Sequence, residues 1–333
     1  MIRLSQGWVL YLLIFLIVPF LLSVRSYVWG LYGYSFLNRT NIDVLKGISM
    51  TWIIFYSICN QLTYPTLITD LISKSGILGV TLFLFVCGLV VMTRYLKHPC
   101  YLKGFLIHQV IRIVCIFLGC NVMGALVHIF MGGHDTLKDV LYYTVKFQFM
   151  NETSASLVGT LLYFYLAFYI SYKTKFRLQS LWYFSLIFVG ISLLFKWEYT
   201  LAFCFFIGVF CAKYKKYLFR LLRQYLRILF IISLFLFTSS YLLYIKDFRF
   251  IFPFIPYLFL GLMVCILMKL QLRSAVFKLI GVGAIELYLV HELLLILFFR
   301  YSGPRSGLIL VLFWIIAIML GLLIRRHSFR FFA

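Results

Sequence analysis

Gly76-Ile-Leu-Gly79-Val-Thr81-Leu-Phe83-Leu-Phe85-Val-Cys87-Gly88-Leu-Val-Val-Met92 contains no charged residue, and the nearest charges on either side are Lys74 and Arg94. A helix over this run is about 26 Å long, close to the ~30 Å of hydrocarbon in a bilayer. It is apolar on every face, which suits a buried or lipid-embedded helix and not one with a solvated side. Runs of the same kind recur in both directions. Helices are expected near residues 8–24, 44–62, 76–92, 111–130, 155–172, 181–195, 199–214, 228–245, 250–269, 279–298 and 307–324. The expected fold class is all-α: a polytopic integral membrane bundle of about eleven transmembrane helices, each near the ~20 residues a span needs.

Composition excludes the soluble alternatives. Of 333 residues, 64% are hydrophobic and 12% charged, against roughly 25% charged in soluble domains. The net charge of +22 would suggest nucleic acid in a soluble chain. Here the basic residues sit in short clusters between apolar runs, which points to membrane topology and anionic lipid headgroups, and no nucleic-acid partner is expected. The eight cysteines form no C-x-x-C pair and lie mostly inside apolar runs, so they are expected to be small buried hydrophobes, with no metal site. The first apolar run, Trp8 to Val24, is followed by Arg25 and bulky residues. It is expected to be a retained helix and not a cleaved signal.

The loops alternate in charge. One set holds twenty of the 31 Lys and Arg residues and the other nine, with Lys46 and Arg112 at helix starts. The basic set is expected in the cytoplasm, with the N-terminus outside and the C-terminus inside. The largest basic loop, Lys213 to Arg227, interleaves Leu and Phe with its charges and is expected to form an amphipathic helix on the inner leaflet.

Ionisable residues inside spans are costly and so are functional candidates. Asp43-Val-Leu-Lys46-Gly47-Ile48 opens the second expected helix, with Ser57 eleven residues beyond Lys46. That spacing puts a cation and a hydroxyl on one helix face about 16 Å apart. The plain alternative is a snorkelling lysine and a serine bonded to its own helix backbone. Gly281-Val-Gly283-Ala-Ile-Glu286-Leu-Tyr288-Leu-Val-His291-Glu292 places a histidine and two carboxylates in one apolar helix. Glu286 and His291 are poor direct partners at this spacing, but both can face a bundle interior.

These segments, with Gly79 to Gly88 and with Gln109-Val-Ile-Arg112-Ile113 between them, resemble the motifs of the membrane acyltransferase family 3 in order and spacing. That family comprises O-acyltransferases that modify surface polysaccharides and lipids. The resemblance covers roughly residues 40–325. It implies an extra N-terminal helix and cytoplasmic linker over 1–41, then an acyltransferase-3-like membrane domain of ten helices over 42–333. It implies acetyl-CoA as a cytoplasmic donor, with Lys46 and Arg112 as cofactor-binding cations. It implies transfer to a hydroxyl of a cell-envelope polysaccharide or its lipid-linked precursor, in a bacterial inner membrane. Membrane lipids and glycan-assembly proteins are the expected partners.

The chain departs from the family pattern where chemistry is concerned. The position of the family's first-helix histidine holds Ser57, the Asp of the second motif is Thr81, and its Ser is Cys87. The catalytic candidates are therefore His291, Ser57 and Glu286. Two other readings stand beside the enzyme: a non-catalytic or transport member on the same scaffold, and an O-antigen polymerase or flippase.

Overall fold

A computed structural model of the chain describes residues 28–29, 38–60, 67–130, 157–174, 177–195, 198–246, 248–295 and 308–332. The expected span at 8–24 lies outside the described residues. The rest is all-α apart from one two-residue antiparallel pair, β1 (Val28–Trp29) with β2 (Leu270–Gln271). Six of the described helical segments are long and apolar enough to cross a bilayer. Large apolar side chains point outward in numbers that water would not tolerate, Leu194 at 82% and Phe235 at 68% exposure among them. Lipid satisfies that surface, and a helix pairs its backbone groups within itself there.

Helix α1 (Arg39–Asn60) starts five residues before the expected boundary. The Asn38 side chain accepts the Asn41 backbone N–H at 2.7 Å and caps the first turn. Helix α2 (Leu67–Lys97) extends beyond the run 76–92 at both ends. A 3₁₀ turn (Pro99–Gly104) and a π turn (Leu106–Ile111) then lead into α3 (Arg112–Phe130). Helices α4 (Leu157–Lys173) and α5 (Arg177–Phe195) pack on one another. The short α6 (Cys204–Lys213) crosses α2.

The basic segment expected on the inner leaflet and the following span form one helix, α7 (Lys215–Ile245), kinked at Tyr225 with φ −114° and ψ 15°. Lys215, Lys216, Arg220 and Arg223 precede the kink, and after Arg227 the helix is free of charged residues. Among α7 residues only Phe219 and Leu226 are buried. Helix α8 (Ile255–Lys269) is entered through a 3₁₀ turn, Arg249–Phe254. Pro256 sits in the first turn of α8, where its missing N–H is no loss.

The single helix expected over 279–298 is instead two, α9 (Ala275–Val282) and α10 (Ala284–Leu295). Ser274 caps α9 by accepting from the Phe277 N–H. The break at Gly283 lets α9 lie across α1 while α10 turns into the core. At that crossing a Cβ on Gly47 would run into the Phe277 carbonyl, and one on Gly281 into the Asp43 carbonyl. Helix α11 (Leu308–Phe332) packs against α10.

Candidate functional site

The starts of α1, α3 and α10 and the ends of α2 and α11 meet at one end of the bundle. They enclose a cavity of about 480 Å³ lined by Arg39, Lys46, Arg94, Arg112, Glu286 and Arg325, among others. A neighbouring cavity of about 520 Å³ shares Arg39, Asp43, Lys46 and Arg94 and adds Lys97 and Lys215. The π turn before α3 brings His108 and Gln109 to the wall beside Arg112; such turns recur at functional sites. Sequence reasoning found Lys46 and Arg112 but missed Arg94 and Arg325. Both lie in the basic clusters that had been read only as topology signals.

Glu286 belongs to this cavity. Its Oε1 lies 3.7 Å from Arg112 Nη2, and both side chains are buried. The carboxylate offsets part of the cationic wall and holds the guanidinium in place. An Arg39–Asp43 pair at 3.9 Å sits at the rim, where Arg39 is largely exposed, so it adds little stability.

A second cluster lies further along α1 and α10. His291 Nε2 is 3.5 Å from Ser57 Oγ and 3.2 Å from Glu292 Oε1. Ser57 Oγ is in turn 3.5 Å from Glu292 Oε1. The three residues are 6%, 0% and 1% exposed for Ser57, His291 and Glu292. His291 Nδ1 faces the Tyr288 carbonyl. A carbonyl can only accept, so Nδ1 carries a hydrogen and Nε2 is the nitrogen turned toward the other two groups.

Ser57 differs from other helical serines of the chain in what it bonds. Ser49, Ser185, Ser192 and Ser233 each donate to a carbonyl three or four residues back in their own helix. Ser57 turns instead to side chains of α10, more than 230 residues away in sequence. Of the three catalytic candidates, the structure brings Ser57 and His291 together and places Glu286 elsewhere. Glu292, absent from that set, is the carboxylate at their side. Its adjacency to His291 in sequence was the available signal, though neighbours on a helix do not normally face one another. Here the carboxylate bends back to the ring.

Beyond this cluster, at the far end of α1 from Lys46, a cavity of about 170 Å³ is lined by Tyr56, Lys74, Glu198, Tyr244 and Phe252, among others. The bundle thus carries a large cationic cavity at one end, a small aromatic one toward the other, and a buried Ser–His–Glu cluster.

The profile of the acyltransferase domain family, acyltransferase family 3, matches residues 39–324. The chain belongs to that family. Comparison with curated proteins and with solved structures returns no match.

Proposed function

We propose that the protein is a membrane O-acyltransferase that moves an acetyl group from cytoplasmic acetyl-CoA to a hydroxyl of a cell-envelope polysaccharide or its lipid-linked precursor. The supporting observation is the convergence of Arg39, Lys46, Arg94, Arg112 and Arg325 on one cavity. A polyanionic donor needs such a set, since charge-assisted contacts to phosphate are the strong ones. In this reading the basic loops face the cytoplasm, the N-terminus lies outside and the C-terminus inside. The acceptor approaches from the opposite end, where Tyr56, Tyr244 and Phe252 offer ring faces and Lys74 and Glu198 offer polar groups. His291 is the group that handles protons, and Glu292 holds its charge.

The loss of the family histidine at position 57 supports a second reading, a non-catalytic member that assists glycan modification or export. Mass analysis of the envelope glycan separates the two. A deletion strain that loses O-acetyl groups, and regains them with the wild-type gene but not with His291→Ala, supports the enzyme. A glycan unchanged by deletion overturns it.

A further inference from the structure

The buried cluster contains a nucleophile as well as a base. A hydroxyl becomes an acyl carrier when a partner within hydrogen-bond reach takes its proton and a third group steadies that partner. Ser57 Oγ meets the first condition at 3.5 Å from both His291 Nε2 and Glu292 Oε1. The Tyr288 carbonyl on Nδ1 fixes the ring, and Glu292 stabilises its charged form from 3.2 Å. The remaining carboxylate oxygen, Glu292 Oε2, is buried and has no hydrogen-bond partner among the described residues. It is an acceptor left open at the cluster.

Depth and dryness fit the same role. Lys46 and Ser57 are three turns apart, about 16 Å along α1. Phosphates held at the cationic cavity would therefore leave the extended pantetheine arm to cover that distance. An acyl ester formed at Ser57 would sit where water is excluded, which protects a reactive intermediate from hydrolysis.

Building on the acyltransferase reading, we infer that Ser57 is itself acylated, so that the reaction runs through an acyl-serine. In the first step the Ser57 proton passes to the His291–Glu292 pair and Oγ forms an ester bond to the acyl carbon. The carbon–sulfur bond of the thioester breaks, and the departing CoA thiolate takes the proton from the pair and leaves as the free thiol. In the second step the acceptor hydroxyl gives its proton to the pair and its oxygen bonds to the acyl carbon. The Ser57–acyl bond breaks and Oγ recovers the proton. Each step exchanges one acyl bond for another and returns the pair to its starting state. Ser57 thus replaces direct transfer with two displacements, one for each side of the bundle.

The test uses the full-length protein in lipid nanodiscs with radiolabelled acetyl-CoA and no acceptor. Wild type should release about one equivalent of CoA thiol and hold the label on the peptide containing Ser57. As an oxygen ester, the label should resist neutral hydroxylamine. Ser57→Ala should take no label. Ser57→Cys should take a label that neutral hydroxylamine removes, because a thioester is the more labile, and this outcome also shows that the altered site still folds. In the deletion strain, Ser57→Ala should fail to restore glycan O-acetylation. If Ser57→Ala restores it to the wild-type level, or if wild type transfers acetyl without ever carrying label at Ser57, the acyl-serine is overturned while the acyltransferase reading stands. If wild type neither takes label nor transfers, both fall together.

Discussion

His291 Nε2 lies 3.5 Å from Ser57 Oγ although 234 residues separate them in the chain. The contact exists because α1 and α10 run side by side from the cationic end, and because Gly283 frees α10 from the direction of α9. A serine bonded only to its own helix would be a packing residue. This one faces a histidine and a carboxylate at a depth where an unpaired polar group is expensive. The cluster therefore needs all three members, and the first prediction concerns the one that moves protons.

His291→Ala should lower acyl transfer by roughly 10²–10⁴-fold, the usual loss on removing a positioned acid–base group. CoA should bind with unchanged affinity, because His291 does not line the cationic cavity. Steady-state rates together with equilibrium CoA binding check this. A matched loss of affinity would place the histidine in donor binding instead.

Lys46→Ala should weaken CoA binding by about 1.5–3 kcal/mol, the range for a hydrogen bond to a charged group, or one to two decades in dissociation constant. Added salt should shrink the difference, since it screens the partly open site. Arg112→Ala should weaken binding similarly but also destabilise the fold. It leaves Glu286 buried with one cation fewer at 3.7 Å, and breaking a buried pair costs about 3–5 kcal/mol. Calorimetry with CoA and thermal unfolding in detergent separate the two variants. Equal stability of both would argue that Glu286 is held mainly by other groups.

The spans were legible because each apolar run carries its own length, and lipid leaves helices as the simplest way to satisfy a backbone. Their ends were less so. Asn38 sets the start of α1 through one side-chain hydrogen bond, a local competition that hydropathy does not register. The division of 279–298 at Gly283 was hidden for a related reason. Glycine is tolerated inside membrane helices, so nothing at Gly281 or Gly283 marks a break in the apolar run, and the close approach of α1 at Gly281 shows only in the packing. At the site, Ser57 and His291 could be named from residue type and depth. The choice of Glu292 over Glu286 depends on which face of α10 meets α1, and that is settled only by tertiary packing.

Gly47→Ala and Gly281→Ala should each destabilise the bundle by about 1–3 kcal/mol or more, the range for forcing extra volume into a packed contact. The atoms met are backbone, the Phe277 carbonyl for position 47 and the Asp43 carbonyl for position 281, so no side chain can rotate away. The damage should reach the site, because α1 carries Lys46 and Ser57. Gly261→Ala is the control, since a Cβ there meets nothing within 4 Å. Thermal unfolding of the three variants in one detergent gives the comparison. Equal melting temperatures would show that the α1–α9 crossing is looser than the backbone contact implies.

Glu198 supplies a test that depends on pH. It lies in the loop before the 3₁₀ turn Tyr199–Leu201, and burial pushes its carboxyl up from the ordinary value of 4.5. A raised folded value means that the fold favours the neutral acid. Its contribution to stability is fully present below pH 4.5 and is lost as pH rises through the folded value. Glu198→Gln keeps the shape and stays neutral throughout. The variant and wild type should therefore melt at nearly the same temperature in acid, and the variant should become the more stable as pH rises toward neutrality. Thermal unfolding of the detergent-solubilised protein across this range reads the divergence directly. A wild type more stable than Glu198→Gln at neutral pH would reverse the sign. It would mean that the ionised carboxylate is held by a cation, with Lys74 on the same cavity wall as the group to mutate next.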